Sequence, residues 1–320
     1  MLDHLKDIVK EICDERNIKY TFLSKNWIVK LERDGKIAFI VGSRFSINSV
    51  TAASIAADKY ATFEVLKSAN IPIIEHKMVF NKRYRKGYNS DLNSRKEILD
   101  YINSMPNKKI VVKANEGSCG NDVYLCKNIH EVCRCLNKMF KHKESASICP
   151  FYDIDTEYRI ICLDNEPKLI YGKRACDGMW KHNLSQGASV VEVEDEKLKN
   201  KLIEIAINAV KAIGIRFASV DIIKLKTGEL LVIEVNSGVT INKYTDFVSN
   251  GRETAKEVYG EAIEKMLMWF WVIKRFLNVE ASIKSKILQE MIFVRFWIWL
   301  ILLNGIIILV FEIIGIEKTE

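Results

Sequence analysis

One turn in the last third of the chain constrains the fold more than any other feature. Phe217-Ala-Ser-Val-Asp-Ile-Ile-Lys-Leu-Lys226 is β-branched and apolar, Thr227-Gly228 follows, and Glu229-Leu-Leu-Val-Ile-Glu-Val235 is apolar again. The pattern predicts a β-hairpin with a two-residue loop containing glycine. With Lys226 facing Glu229, Asp221 faces Glu234 across the ladder. Carboxylates set opposite each other on one sheet face repel and weaken the pairing. Asn236 follows Glu234 at the two-residue spacing and so lies on that face as well. Two carboxylates and an amide oxygen on a rigid sheet suit a hard divalent cation, which makes Asp221, Glu234 and Asn236 candidate ligands for Mg²⁺ or Mn²⁺. Solvated strand acids in a slipped register are the plainer reading of the hairpin alone.

At 320 residues the chain has room for one large domain or two ordinary ones, and 28% charged with 48% hydrophobic residues describes a globular protein. The net charge of +7 comes from scattered residues without aromatic-interleaved basic patches, so no nucleic-acid partner is expected. The eight cysteines include no CxxC pair, and no apolar export signal opens the chain. Reduced thiols in a cytoplasmic compartment are the expectation. Phe296–Ile316 is apolar apart from Asn304 and Glu312, enough to span a hydrocarbon core of about 30 Å. Trp297 and Trp299 near its start and Lys284, Lys286 and Arg295 before it fit a membrane anchor with a cytoplasmic body; burial in a homodimer interface is the rival reading.

The periodicities divide the chain into a short helix-plus-hairpin segment over 1–50 and a mixed α/β domain over 51–267, in subdomains of about 51–150 and 151–267. A basic amphipathic linker helix over 268–290 and a hydrophobic tail over 291–316 follow. Asp58 caps a helix ending at Ser68, Ile73–Phe80 reads as a strand, and residues 81–95 read as a polar loop. Leu198, Leu202, Ile205, Ala209 and Ile213 make 196–213 an amphipathic helix stopped by Gly214.

Lys113 ends the strand Ile110-Val-Val-Lys and precedes a small-residue loop with Gly117, Ser118 and Gly120, a cradle in which backbone N–H groups and one ammonium can surround phosphate oxygens. The Walker A order is absent, and an ordinary hairpin turn fits equally well. Glu157 and Arg159 share a strand face, Lys173-Arg174 ends the next strand, and the loop Trp180–Ala188 carries donors at Lys181, His182, Asn183, Ser185 and Gln186. His182 alone reads as a surface or packing histidine.

These motifs, in this order, resemble the ATP-grasp superfamily: Asp58-Lys59, Val112-Lys113 with its loop, Glu157-Tyr158-Arg159, Lys173-Arg174, Asn183–Ala188, Asp221 and Glu234-Val-Asn236. The nearest branch is that of glutathione synthetase, cyanophycin synthetase and the ribosomal-S6-modifying glutamate ligases, and the resemblance covers about residues 42–266. It implies an α+β fold of two subdomains clamping ATP. By the same resemblance Lys59, Lys113, Gly117, Ser118, Gly120 and Arg159 serve the nucleotide, and Glu157 binds the ribose hydroxyls. A hinge around Ile148–Phe151, with Cys149 and Phe151, pairs with adenine through backbone groups. Lys173 and Arg174 neutralise the transferred phosphoryl group, Asn183 belongs to the closing loop, and Asp221, Glu234 and Asn236 hold the metal. Ala114 and Asp122 depart from the proline and glycine usual at those places. The implied activity is amide-bond formation between an unidentified carboxylate and an unidentified amine, with release of ADP and phosphate. A small-molecule kinase and a non-catalytic ATP-binding regulator are the alternatives.

Overall fold

The computed structural model describes residues 3–83, 87, 90–117 and 121–277. In chain order these begin with α1 (Asp3–Glu15), β1 (Lys19–Leu23), β2 (Ile28–Arg33), β3 (Lys36–Val41), β4 (Arg44–Phe45), α2 (Val50–Ala57) and α3 (Lys59–Ser68). The next group is β5 (Lys77–Phe80), α4 (Arg95–Ser104), β6 (Ile110–Ala114), β7 (Val123–Cys126), α5 (Ile129–Met139) and β8 (Ser145–Pro150). Then come β9 (Ile154–Leu163), β10 (Glu166–Arg174), β11 (Ser189–Val191), α6 (Glu196–Ile213), β12 (Phe217–Leu225), β13 (Leu230–Asn236), α7 (Asn242–Thr245) and α8 (Gly251–Leu277). The chain divides into compact units at Met1–Leu267 and Met268–Glu320, the second described only as far as Leu277.

Three antiparallel sheets carry the first unit: β1-β2-β3-β4, β11-β10-β9-β12-β13, and β5-β8-β6-β7. Leu5, Ile8, Val9 and Ile12 recur at helical spacing along α1 and cover Val29, Leu31, Ala38 and Ile40 of the first sheet. That core runs on into Leu163, Phe217 and the Val258, Tyr259, Ala262 and Ile263 stripe of α8. Tyr259 is fully buried, yet its hydroxyl accepts from the Ile241 N–H at 2.9 Å, so its one polar atom is satisfied.

α6 lays Leu202, Ala206, Ala209 and Val210 against Tyr158, Ile160, Ala218, Val220 and Ile222 of the second sheet. Gly214 ends α6 in the left-handed region at φ 71°, as its position after the apolar stripe predicts. Strand alternation then sends Glu157, Arg159, Ser219 and Asp221 to the opposite face. The third sheet packs Ile110, Val112, Ala146 and Ile148 against α4 and α5, leaving Lys113, Ser147 and Cys149 on its other face. The functional cleft lies between these two polar faces.

Asp221 does pair with Glu234, but the turn beneath them is not the expected one. The Gly228 N–H donates to the Leu225 carbonyl and the Leu225 N–H donates to the Glu229 carbonyl, both at 2.8 Å, with Gly228 at φ 90°. This three-residue loop sets Lys224 against Leu230 and Ile222 against Val232; the irregularity between Asp221 and Ile222 restores the predicted pairing. The strand expected over Ile73–Phe80 starts only at Lys77, because residues 72–74 are drawn to Val232 on β13 instead. α8 runs through Leu277, beyond the helix expected over 252–267. Among the described residues no helix is long and apolar enough to cross a membrane, and Phe296–Ile316 lies outside them.

Candidate nucleotide and metal site

Asp221 sits at the centre of an ion network that explains how a β-ladder tolerates it opposite Glu234. Arg159 holds it in a fork, Nε to Oδ1 at 2.8 Å and Nη2 to Oδ2 at 2.7 Å, from the neighbouring strand β9. Lys173 on β10 reaches the same Oδ1 at 3.1 Å and also pairs with Glu157. Burial alone would raise the Asp221 carboxyl, but Arg159 and Lys173 outweigh it and hold it well below the usual carboxylate range. Asn236 binds the remaining pieces together, its amide donating to Asp221 Oδ2 at 3.2 Å and to Glu234 Oε1 at 3.1 Å. Asp221, Glu234 and Asn236 therefore converge on one face, as the hairpin predicts. Arg159 and Lys173 are committed to Asp221 and Glu157, a partnership that single-strand reasoning does not supply.

The facing wall is built by Asn115, the residue that follows β6. Its carbonyl accepts from the Lys59 N–H at 3.2 Å and its side-chain oxygen from the Tyr60 N–H at 3.0 Å. This pins the start of α3 to the end of β6 and brings Lys59 and Lys113 to the same cleft. Asp58 caps α3 as predicted, accepting from the Ala61 N–H at 2.8 Å. The Lys59 ammonium contacts the Gly117 carbonyl at 3.1 Å and stands 3.9 Å from Glu234; burial lowers its pKa. Lys113 differs. It is only 6% exposed, the Cys149 thiol stands beside it, and among the described residues no carboxylate lies within ion-pair distance. A buried ammonium without a counter-ion is costly, and an anionic ligand relieves that cost.

The departures at Ala114 and Asp122 have local explanations. The Ala114 N–H donates to the Asp122 carbonyl at 3.1 Å, a bond proline cannot make. Asp122 adopts φ 51°, where glycine is usual, and offsets the strain through bonds to Tyr124 at 3.0 Å and His142 at 2.9 Å. The rest of the cleft is lined by the apolar Val123, Ile154, Trp180 and Ile233, by Gly117, and by the polar Glu157, Lys181, His182 and Asn183. His182 is buried, and its Nδ1 lies 3.2 Å from the Ala175 N–H, a structural contact that fits the packing reading.

Three expected positions fall elsewhere. Arg174 alternates with Lys173, so it lies on the other face of β10 and is exposed. Cys149 is buried in the third sheet with its thiol toward the Val111 carbonyl, below the cleft surface. Phe151 has already spent its backbone groups: its N–H donates to Lys109 at 3.1 Å and its carbonyl accepts from Asn107 at 3.4 Å. Cys149 and Phe151 instead belong to the apolar cluster of Ile74, Ile223, Leu225, Ile154 and Trp180 that backs the cleft. Ser118 and Gly120 lie outside the described residues.

Comparison with known proteins bears on the family and the fold. The model of the RimK-like ATP-grasp domain matches residues 56–257. A probable alpha-L-glutamate ligase of Psychromonas ingrahamii is 25% identical over 250 residues, which is 78% of this chain and 73% of the relative. One of Legionella pneumophila (strain Corby) is 25% identical over 195 residues, 60% of this chain and 59% of that relative's length. In fold, the chain is similar to the D-alanine–D-alanine ligase of Bacillus anthracis complexed with ATP, with a TM-score of 0.52 at 18% identity over 72% of this chain and 71% of that one. The bifunctional glutathione synthetase of Pasteurella multocida gives 0.50 at 13% identity, over 81% of this chain and 44% of its own.

Proposed function

The chain belongs to the RimK-like ATP-grasp family, and on that premise we propose that it is an ATP-dependent carboxylate–amine ligase forming an amide bond through an acyl phosphate. The observation that carries this reading is that Lys113, which has no carboxylate partner among the described residues, and Glu234 line one cleft, with Glu234 joined through the Asn236 amide to Asp221.

The donor set fits a divalent cation. Glu234 offers it a carboxylate, turning the Asn236 amide about its own axis would add a second oxygen, and Asp221 would join by sharing the oxygens that Arg159 and Lys173 now hold. Bound there, Mg²⁺ would neutralise phosphate charge during phosphoryl transfer. Lys59 and Lys113 hold the phosphates. Glu157 faces the cleft at the edge of its apolar wall, where Val123, Ile154 and Ile233 accept the flat base and the acid meets the ribose. The γ-phosphoryl group passes to a substrate carboxylate oxygen, and ADP departs. An amine nitrogen then attacks the acyl carbon, phosphate leaves with the C–O bond electrons, and the nitrogen loses a proton. Asn183 and its loop shield the acyl phosphate from water. The relatives' names make L-glutamate the first compound to try.

The test is ADP release from Mg·ATP by the full chain against pooled carboxylates, L-glutamate included, with and without pooled amines. Release that needs both pools is expected. Release needing only a hydroxyl compound would replace this reading with a kinase, and ATP binding without turnover would leave a regulator.

The apolar run Phe296–Ile316 supports a second part of the reading, that the protein is held at a membrane. The full chain is then expected in a carbonate-washed membrane pellet and a chain ending at Leu277 in the supernatant. Equal distribution of the two would refute the anchor and favour the interface reading.

A further inference from the structure

His76 is 1% exposed, and its ring faces two very different environments. Nδ1 lies 2.5 Å from the Ser147 hydroxyl, while Nε2 is buried with no hydrogen-bond partner. Leaving such an atom unsatisfied costs about 1–3 kcal/mol, and the Phe63 ring 5.9 Å away shows that an apolar ring would pack there without that loss. Ser147 is the cross-strand partner of Lys113, so His76 and Lys113 adjoin the same hydroxyl on the same sheet face. Of the two ammoniums near the ring, Lys59 has acceptors in the Gly117 carbonyl and Glu234; Lys113 has no carboxylate. A buried acceptor lacks a donor, and the ammonium beyond the shared hydroxyl has the Cys149 thiol beside it but no carboxylate.

We propose that His76 is a positioning residue for Lys113, its Nε2 accepting one ammonium hydrogen so that the others point into the cleft. This rests on the reading of that cleft as the nucleotide site. The field of the two lysines selects the tautomer. A proton on Nε2 is disfavoured by the charge of the two lysines, whereas a proton on Nδ1 is donated to Ser147 and leaves the Nε2 lone pair free to accept. Burial, reinforced by Lys113 and Lys59, keeps the imidazole neutral far below its ordinary pKa. A neutral ring is what an acceptor requires. The contact would restrict a four-carbon side chain before ligand arrives, so less rotamer freedom is lost on binding.

The experiment is titration calorimetry of Mg·ATP with the full chain and its His76→Phe, His76→Gln and Lys113→Met variants. His76→Phe, which keeps the ring packing, is expected to weaken binding about tenfold, the loss of one hydrogen bond to a charged group. His76→Gln restores an acceptor oxygen and is expected within about threefold of the parent. His76→Phe added to Lys113→Met is expected to weaken binding no further. Parent-like binding by His76→Phe, equal losses in Phe and Gln, or additive losses in the double variant would each overturn the proposal. Failure of the parent chain itself to bind Mg·ATP would instead remove the nucleotide reading. A ligand-independent readout is the ¹⁵N signature of His76, one of five histidines. It is expected to be neutral with Nδ1 protonated, and an Nε2-protonated ring would refute the acceptor role.

Discussion

Replacing Asp221 with asparagine is expected to abolish nucleotide-dependent turnover and also to cost the fold roughly 3–5 kcal/mol, because it takes the carboxylate from Arg159 and leaves the buried Lys173 with Glu157 alone. The sequence alone suggests a clean active-site variant. The structure makes Asp221 the counter-charge of Arg159 and Lys173, with its side chain 1% and that of Lys173 4% exposed. For a chain of this size that loss corresponds to a fall in Tm of roughly 4–9 °C. Glu234→Gln separates the two effects. Glu234 is partly solvated, its neutral isostere can still accept from Asn236, and the Lys59 contact it loses is 3.9 Å long. Turnover should fall by at least about 100-fold with Tm changed by no more than about 2 °C. Scanning fluorimetry and ADP release on both variants decide the matter. Unchanged Tm in Asp221→Asn would refute the ion network as a stabilising element, and full activity in Glu234→Gln would remove it from the site.

The pH dependence has a definite sign. The folded carboxyl of Asp221 is held below its unfolded value of about 4, so its stabilisation is complete above that pH. It is lost only as pH falls through the lower folded value. The gap in stability between the parent and Asp221→Asn should therefore stay level from neutral pH down to about 4 and narrow in stronger acid.

What could be read from sequence, and what could not, follows from range. Signals confined to a few residues were legible: Asp58 capping α3, Gly214 ending α6, and alternation placing Asp221, Glu234 and Asn236 together. α2 and α4 carry capping signals of the same short range. Ser49 caps one; Ser94 with Glu97 forms a reciprocal cap at the other, Ser94 accepting from the Glu97 N–H at 3.1 Å and Glu97 accepting from the Asn93 N–H at 2.6 Å. The misplaced Arg174 was a matter of parity, since only one of two successive strand residues can face the cleft. Long-range pairings had no such signal. Nothing near Arg159 or Lys173 in the chain names Asp221 as the shared partner, and nothing near Asn115 names Tyr60. Those contacts exist because β9, β10 and β12 adjoin, which is a property of topology.

Lys113→Met is expected to do the opposite of Asp221→Asn: raise Tm in the absence of nucleotide while weakening Mg·ATP binding by roughly 10–100-fold. Both residues are buried charges, Lys113 in the lining of the cleft and Asp221 behind the Glu234 that lines it, and they differ in compensation. Asp221 is paired twice, so its removal exposes its partners' charge. Lys113 has no carboxylate within reach among the described residues, so its removal takes away an uncompensated charge, and methionine fills nearly the same volume. The gain should be about 1–3 kcal/mol. Ligand should then reverse the ranking, since saturating the parent at 100 times its Kd adds about 2.7 kcal/mol that the variant largely forgoes. Thermal melts of the parent and variant, each with and without Mg·ATP, read all four states. A variant less stable than the parent without nucleotide would show that Lys113 is already compensated, and an undiminished ATP-dependent rise in Tm would show that the phosphates bind elsewhere. Retaining such a cation at a cost to the empty protein is what a cleft selected for binding an anion requires.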